Sequence, residues 1–474
     1  MKSKILKISF VLLSILLIIP SIIYLISNKT IMGFDIYFNF FLNDNINKII
    51  STSAFLVLFI LLTIIYFIIY KMDCFKNIKR ILIFITLIGI IFMIMLPWTS
   101  SDIFYYMGVG ELDARYNQNP YYVTMREYYI QNEENLDDDI LLQGATNYWG
   151  NTTVVYGPIA QLFFKICSFL SMKNITVALF IFKLVNLLIH IINTYLFYKI
   201  SGKKKFAIMY GLNPFIFIEA IANVHNDIII LFFVLLSLYI LLKRRNLLLS
   251  IIALALATGV KYFTILLLPI LILYHFRTEK RLSIRFLRCI EYGVIFLVIF
   301  ALEYVLYFND YQIFLAMMVQ TSRYQCSIYS VLLQYNKNLV YIVRAVFIVI
   351  FFMYYAVMCI NLLTEKNIKF YKVIKKYNIA LILFLLILTN FHQWYLIWLF
   401  ATIIWQKPNA IRNIIGLSLC TEIANSVYMF LYESYKFDKY FVGAIIVLFM
   451  IWKIITNKES VKNLQSKFCS HLKI

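Results

Sequence analysis

Apolar runs long enough to cross a bilayer, about 20 residues each, follow one another from Ile5 to Thr456 with only short polar breaks. Nothing else constrains the fold of this chain as strongly. In hydrocarbon a backbone must satisfy its own N–H and C=O groups, so such runs are expected as helices. A composition of 62% hydrophobic and 14% charged residues cannot be packed into a water-soluble globule of this size. The chain therefore reads as all-α, a polytopic transmembrane helical bundle forming a single membrane domain over residues 1–474. Its first segment, Ile5 to Ile26, exceeds a signal-peptide core and lacks a small-residue cleavage site, and is expected to stay as a helix.

The formal charge of +21 would point to nucleic acid in a soluble protein. Here the basic residues must first be sorted by membrane side. Most of the 44 Lys and Arg fall in short clusters between apolar runs, such as Lys71 to Arg80, Lys199 to Lys205, Arg277 to Arg288 and the tail from Lys453. Placing these clusters in the cytoplasm satisfies the rule that short cytoplasmic loops are basic. Both termini are then cytoplasmic, the charge is mainly topology, and no polynucleotide partner is expected.

This sorting makes residues 98–156 one large outer loop. It also assigns 157–172, where Gln161, Lys165 and Ser168 form a polar stripe at helical spacing, to an amphipathic helix lying in the interface, although a short spanning helix is the structural alternative. With that choice the chain reads as about 14 transmembrane helices. Two short helix pairs meet on the outer side, at Gly259-Val260-Lys261 and at Asn390 to Trp394. Trp98, Trp394 and Trp398 suit an aromatic belt at that level.

Polar groups that are costly at the bilayer centre then gather at the outer face. They are Asp102 with its loop, Glu219, Asn223, His225-Asn226-Asp227, Lys261, Arg323 and His392. Several such groups at the ends of separate helices suggest a shared cavity, whereas for any one of them a merely polar loop is the simpler reading. Asp102 follows Thr99-Ser100-Ser101 and precedes an apolar run, the pattern of a helix N-cap as well as of a general base at the membrane mouth. The acidic run Glu133, Glu134, Asp137, Asp138 and Asp139 lacks His or Cys partners and reads as solvated loop. The seven cysteines show no metal-ligand spacing, and Walker, dinucleotide-binding and H-E-x-x-H motifs are absent. No cofactor is called for, no metal ligands are assigned, and a divalent metal is left open.

In order, the chain carries Ser101-Asp102, Tyr105-Tyr106, Gly110, Asn119-Pro120-Tyr121, Val155-Tyr156-Gly157-Pro158, Leu212-Asn213-Pro214, His225-Asn226-Asp227, Gly259-Val260-Lys261 and Trp394-Tyr395-Leu396. This order resembles the GT-C integral membrane glycosyltransferases, most of all the bacterial polyprenyl-phosphomannose-dependent mannosyltransferases, over about Pro97 to Trp398. The resemblance implies transfer of a hexose, with mannose favoured, from a polyprenyl-phosphate carrier to a cell-envelope glycan or glycolipid. It places the reaction on the extracytoplasmic face of the cell membrane, usually with inversion. An acidic residue of the first large outer loop then acts as base, the position Asp102 occupies. Two departures stand out. The loop follows the third helix rather than the first, and Ile103 stands where many relatives carry a second carboxylate, which leaves Glu111 and Asp113 as the nearest second acids.

A departing polyprenyl phosphate gathers negative charge that cations must meet. Lys261 is the first choice, with His225 and Arg323 next, and snorkelling to the interface is the alternative for the lysine. Tyr105, Tyr106, Asn226, Asp227, His392, Trp394 and Tyr395 are the expected substrate contacts, the aromatic ones through sugar or lipid stacking or else as belt residues. A transporter or flippase of lipid-linked saccharide is the rival function; it would carry ionisable groups near the midplane and show repeats. A polysaccharide polymerase or ligase is a second rival, disfavoured by a loop with few cations.

Overall fold

The structure, a computed structural model, describes residues 2–27, 45–97, 99–132, 139, 141, 142, 149–314, 323, 324, 326–365 and 367–435. The expectations for Trp98, for Glu133, Glu134, Asp137 and Asp138, and for the tail from Lys453 lie outside the described residues.

Every regular element among the described residues is helical. Lys2–Ile23, Thr52–Met72, Ile175–Ser201 and Lys337–Thr364 are long and apolar enough to cross a membrane, and the pair Lys204–Gly211 and Pro214–Ala222, bent by 49°, makes a fifth if it crosses as one. Pro158–Ser171, Leu247–Thr258 and Tyr262–His275 are shorter apolar helices. Length and composition thus identify four or five spans, where about 14 are expected from hydropathy alone. The long helices leave Leu12, Ile19, Val57, Ile64, Leu188 and Phe352 exposed. Apolar faces of that extent suit lipid, not water, and the chain is a membrane protein.

Asparagine, abundant in the sequence, finds a structural use at helix starts. Side chains of Asn77, Asn174, Asn213, Asn246 and Asn336 accept backbone N–H groups in the first turns of the helices that follow them. Such caps satisfy donors that a helix cannot satisfy itself. Leu212-Asn213-Pro214 is one of these starts, with Pro214 at the first helical position. Two buried basic side chains finish helices at the other end. Lys183 donates to the carbonyls of Met93, at 3.2 Å, and Met95, fixing where the chain leaves Ile78–Ile94. Arg285 donates to Leu362 O at 2.8 Å and Glu365 O at 3.3 Å, closing Lys337–Thr364.

The helix Asp102–Tyr116 crosses Pro158–Ser171 at Gly110, where a Cβ would overlap the carbonyl of Phe164 and the hydroxyl of Ser168. Small residues allow such an approach. The polar stripe expected on 157–172 faces this crossing. Gln161 Nε2 donates to Val109 O at 3.1 Å, Ser168 Oγ to Met107 O at 2.9 Å, and Lys165 pairs with Asp113 at 2.7 Å. The opposite side of that helix exposes Leu162, Ile166 and Phe169.

Candidate active site

Asp102 opens its helix, and Ser101 rather than Asp102 holds the cap position, without a side-chain capping bond. Its carboxylate is therefore not spent on the helix end. It keeps 20% of its side-chain surface open and lies 3.7 Å from His225 Nδ1, while the Tyr106 hydroxyl sits 3.5 Å away. Burial raises the carboxyl above its usual range; His225 and Lys261 oppose that rise, and Asp227 and Glu219 add to it.

Lys261 reaches the same place through a backbone clamp. The N–H of Gly157 donates to Val260 O at 3.2 Å, and the N–H of Ile159 to Gly259 O at 2.9 Å. This joins the Val155-Tyr156-Gly157-Pro158 and Gly259-Val260-Lys261 motifs directly. Asn119-Pro120-Tyr121 braces the first of them, because Val154 N–H donates to Pro120 O at 2.9 Å and the Tyr121 hydroxyl to Tyr156 O at 2.9 Å. The Lys261 ammonium lies 2.8 and 2.9 Å from the two oxygens of Asp227. It also sits over the rings of Tyr156, Tyr395 and Trp398, at 5.6, 4.8 and 5.6 Å. Asp227 is fully enclosed and also accepts from the Trp398 indole. An ion pair held this way is a fixed part of the wall and does not snorkel.

His225-Asn226-Asp227 forms the turn between a widened π-helical stretch, Phe217–Ala222, and the helix Asp227–Tyr239. Val224 before it has φ +61°, a left-handed conformation that a β-branched residue adopts only under constraint. His225, fully buried, lies with Nε2 3.1 Å from Glu219 Oε2. Glu219 also accepts from Gln393 Nε2 at 2.9 Å, and buried Glu422 lies against it. The Trp394 ring is stacked between two imidazoles, with centroids 3.6 Å from His225 and 4.2 Å from His392.

These elements enclose a cavity of about 460 Å³. Of the residues expected from sequence, Asp102, Tyr105, Lys261, Arg323, His392, Trp394 and Tyr395 line it. Burial holds the His392 imidazole down to about 3, so it is neutral at physiological pH and cannot serve as a cation. His225 and Asp227 stand directly behind the wall. Tyr106 and Asn226 instead face a separate small void; neighbours on a helix point about 100° apart, so Tyr105 and Tyr106 cannot both face the cavity. Glu111 and Asp113 are elsewhere. Glu111 pairs with Arg115, and Asp113 is held by Lys165, Gln161 and the Tyr307 hydroxyl. Among the described residues no group of three or more His, Cys, Asp or Glu side chains is arranged to hold a metal ion.

Sequence reasoning missed Arg344, Tyr156 and Glu422. Arg344 lines the same cavity as Arg323. Its Nε has no hydrogen-bond partner among the described residues, and Arg323 lies over the Trp149 ring at 5.1 Å. Phe263, Phe384, Ile387 and Leu388 form an apolar part of the lining. The signal for Arg344 was a charge in the interior of the otherwise apolar helix Lys337–Thr364, which is costly unless it has a use. Glu422 shares Pro408–Tyr435 with Arg412, Glu433 and several polar residues, and nothing in the sequence singles it out.

Residues 18–277 match the family model described as alpha-(1->6)-mannopyranosyltransferase, N-terminal domain. The chain belongs to this family. It is thus a membrane glycosyltransferase of the mannosyltransferase class, consistent with the GT-C resemblance of its motifs. No curated protein and no solved structure matches the chain. The part of the mannosyltransferase that matches contains Asp102, His225, Asp227 and Lys261. Arg323, Arg344, His392, Trp394 and Glu422 come from beyond it.

Proposed function

We propose that the protein moves mannose from a polyprenyl-phosphate donor to a mannose-bearing glycan or glycolipid of the cell envelope, on the extracytoplasmic face, forming an α(1→6) linkage with inversion. An α product formed by inversion requires a β-linked donor. The observation that carries this reading is the lining of a single cavity: one carboxylate, two guanidinium groups outside any ion pair among the described residues, and an apolar wall. An amphipathic lipid phosphate needs that combination.

Asp102 takes the proton of the acceptor hydroxyl as its oxygen attacks the anomeric carbon and the bond to phosphate breaks. Arg323 and Arg344 meet the charge of the departing phosphate, and Lys261, already neutralised by Asp227, positions the carboxylate side of the cavity. Tyr105, Trp394 and Tyr395 flank the sugar, while Phe263 and Phe384 take the first part of the lipid. One base suffices for inversion, so the carboxylate missing beside Asp102 is not required.

The test offers undecaprenyl-phosphate-linked mannose, glucose, arabinose and N-acetylglucosamine to the purified protein, with octyl α-mannoside as acceptor. Transfer from the mannose donor is the expected result. Absence of transfer from all four, together with movement of a lipid-linked saccharide across proteoliposomes, would establish the flippase function instead.

A further inference from the structure

We infer that His225, backed by Glu219 and Glu422, is the proton acceptor behind Asp102, so that the reaction proton leaves the cavity through a buried carboxyl–imidazole–carboxyl relay. This rests on the reading of Asp102 as the base. Three features of the fold support it. The two ring nitrogens of His225 face different carboxylates, Nδ1 at 3.7 Å from Asp102 and Nε2 at 3.1 Å from Glu219. Neither makes a hydrogen bond of good geometry to any described residue, so the relay requires these contacts to tighten when substrate binds, as catalytic hydrogen bonds commonly do. The ring plane is fixed by the Trp394 face at 3.6 Å. The backbone that delivers it is strained at Val224, φ +61°, a conformation kept only where the surroundings impose it.

The proton balance is simple. The acceptor O–H breaks as an O–H bond forms on Asp102. That proton passes to His225 Nδ1, and the proton on His225 Nε2 passes to Glu219, which starts as the ionised member of the Glu219–Glu422 pair. Two carboxyl groups in contact in a dry interior hold one proton between them, so the pair has room for one more. Asp102 thereby regains its negative charge while the anomeric carbon is still electron-poor, where a nearby anion stabilises it most. After the products leave, the same steps in reverse return the proton to water in the cavity. The charged and titratable groups surrounding His225 are Asp102, Glu219, the Lys261–Asp227 pair and His392, with Glu422 behind Glu219.

The experiment uses the full-length protein in detergent, with undecaprenyl-phosphate mannose and octyl α-mannoside, and compares His225→Gln, Glu219→Gln and Asp102→Asn. For each, kcat, donor Kd and the solvent deuterium isotope effect in mixed H₂O and D₂O are measured. The relay requires a curved dependence on deuterium fraction in the unaltered protein, showing more than one proton in flight. His225→Gln should lower kcat at least about tenfold with donor Kd within about twofold, and its dependence should become linear. Unchanged kcat and curvature in His225→Gln would overturn the relay while leaving Asp102 as base. Normal turnover of Asp102→Asn would instead remove the underlying reading. If His225→Gln no longer binds donor, Glu219→Gln decides from the far side of the ring; loss of donor binding in both variants assigns the pair to structure and sinks the proposal.

Discussion

Gly157 packs its backbone directly on Gly259, so closely that a Cβ on Gly157 would overlap the Gly259 carbonyl. Neither glycine needs a left-handed backbone, with φ near −74° and −66°; what both positions need is the absence of a side chain. The contact brings the segment that follows residues 98–156 onto the turn that carries Lys261. Gly157→Ala is expected to destabilise the protein by about 1–3 kcal/mol, the usual range for overpacking, and to lower turnover by shifting Lys261 relative to Asp102. Thermal unfolding in detergent alongside transfer assays measures both, and an alanine variant equal to the parent in both would show that the clamp yields freely.

As the proposed base, Asp102 is expected to set the pH dependence. A base acts when deprotonated, and burial raises this carboxyl, so activity should fall on acidification at a pH above the ordinary carboxylate range, about 4. Lys261 is one of the charges that hold the value down. Lys261→Met should therefore move the acid limb of kcat upward. A limb that stays put or moves down in this variant contradicts the electrostatic arrangement.

Arg344 and Arg323 are expected to bind the donor phosphate. Charge-assisted hydrogen bonds to a buried anion are worth about 1.5–3 kcal/mol, so Arg344→Ala should weaken donor binding by roughly tenfold or more. Titration with undecaprenyl phosphate alone reads this without catalysis. Equal affinity in Arg344→Ala and the parent would place the phosphate elsewhere in the cavity.

Glu111 and Asp113 are expected to serve structure, since both lie outside the cavity lining and are held in their own pairs. Burial lifts Glu111 to about 7, with Asp139 adding to the rise and Arg115 opposing it. A carboxyl raised in the fold costs stability that sets in above its unfolded value, about 4.3, and is complete above its folded one. Glu111→Gln should therefore be near neutral at about pH 4, increasingly stabilising up to about 7 and fully so beyond it, with the acid limb of turnover unmoved. Unfolding midpoints at about pH 4 and about pH 8 test the sign. A displaced activity limb would return Glu111 to the chemistry.

Much of this site was legible before any coordinates. Sorting the loops by membrane side brought Asp102, Lys261, His392 and Trp394 to a common place, since each is a polar or aromatic break at the end of an apolar run and such breaks collect on one surface of a bundle. The helix register was less legible. Whether Tyr105 or Tyr106 would face the cavity depends on a rotation of about 100° that neither residue type determines. Arg344 was hidden because it sits within a helix whose apolar character dominates any window average, and Glu422 because its helix is mixed in character, with Arg412, Glu433 and several polar residues beside it. Helix counting suffered for a related reason. Runs that look continuous in hydropathy are bent, as by 49° between Lys204–Gly211 and Pro214–Ala222, or made of helices too short to cross alone, such as Leu247–Thr258, so an apolar run and a single straight span are not the same thing.

The ring of Trp394, held between His225 and His392, comes from the far side of the family-matched region. A chain ending at residue 277 would keep the carboxylate, the imidazole and the lysine, yet His225 would lose its cover and Glu219 its carboxyl neighbour. Such a fragment would leave His225 and Glu219 without the ring and the carboxyl that pack against them, so a change in one stretch of chain is felt in the other.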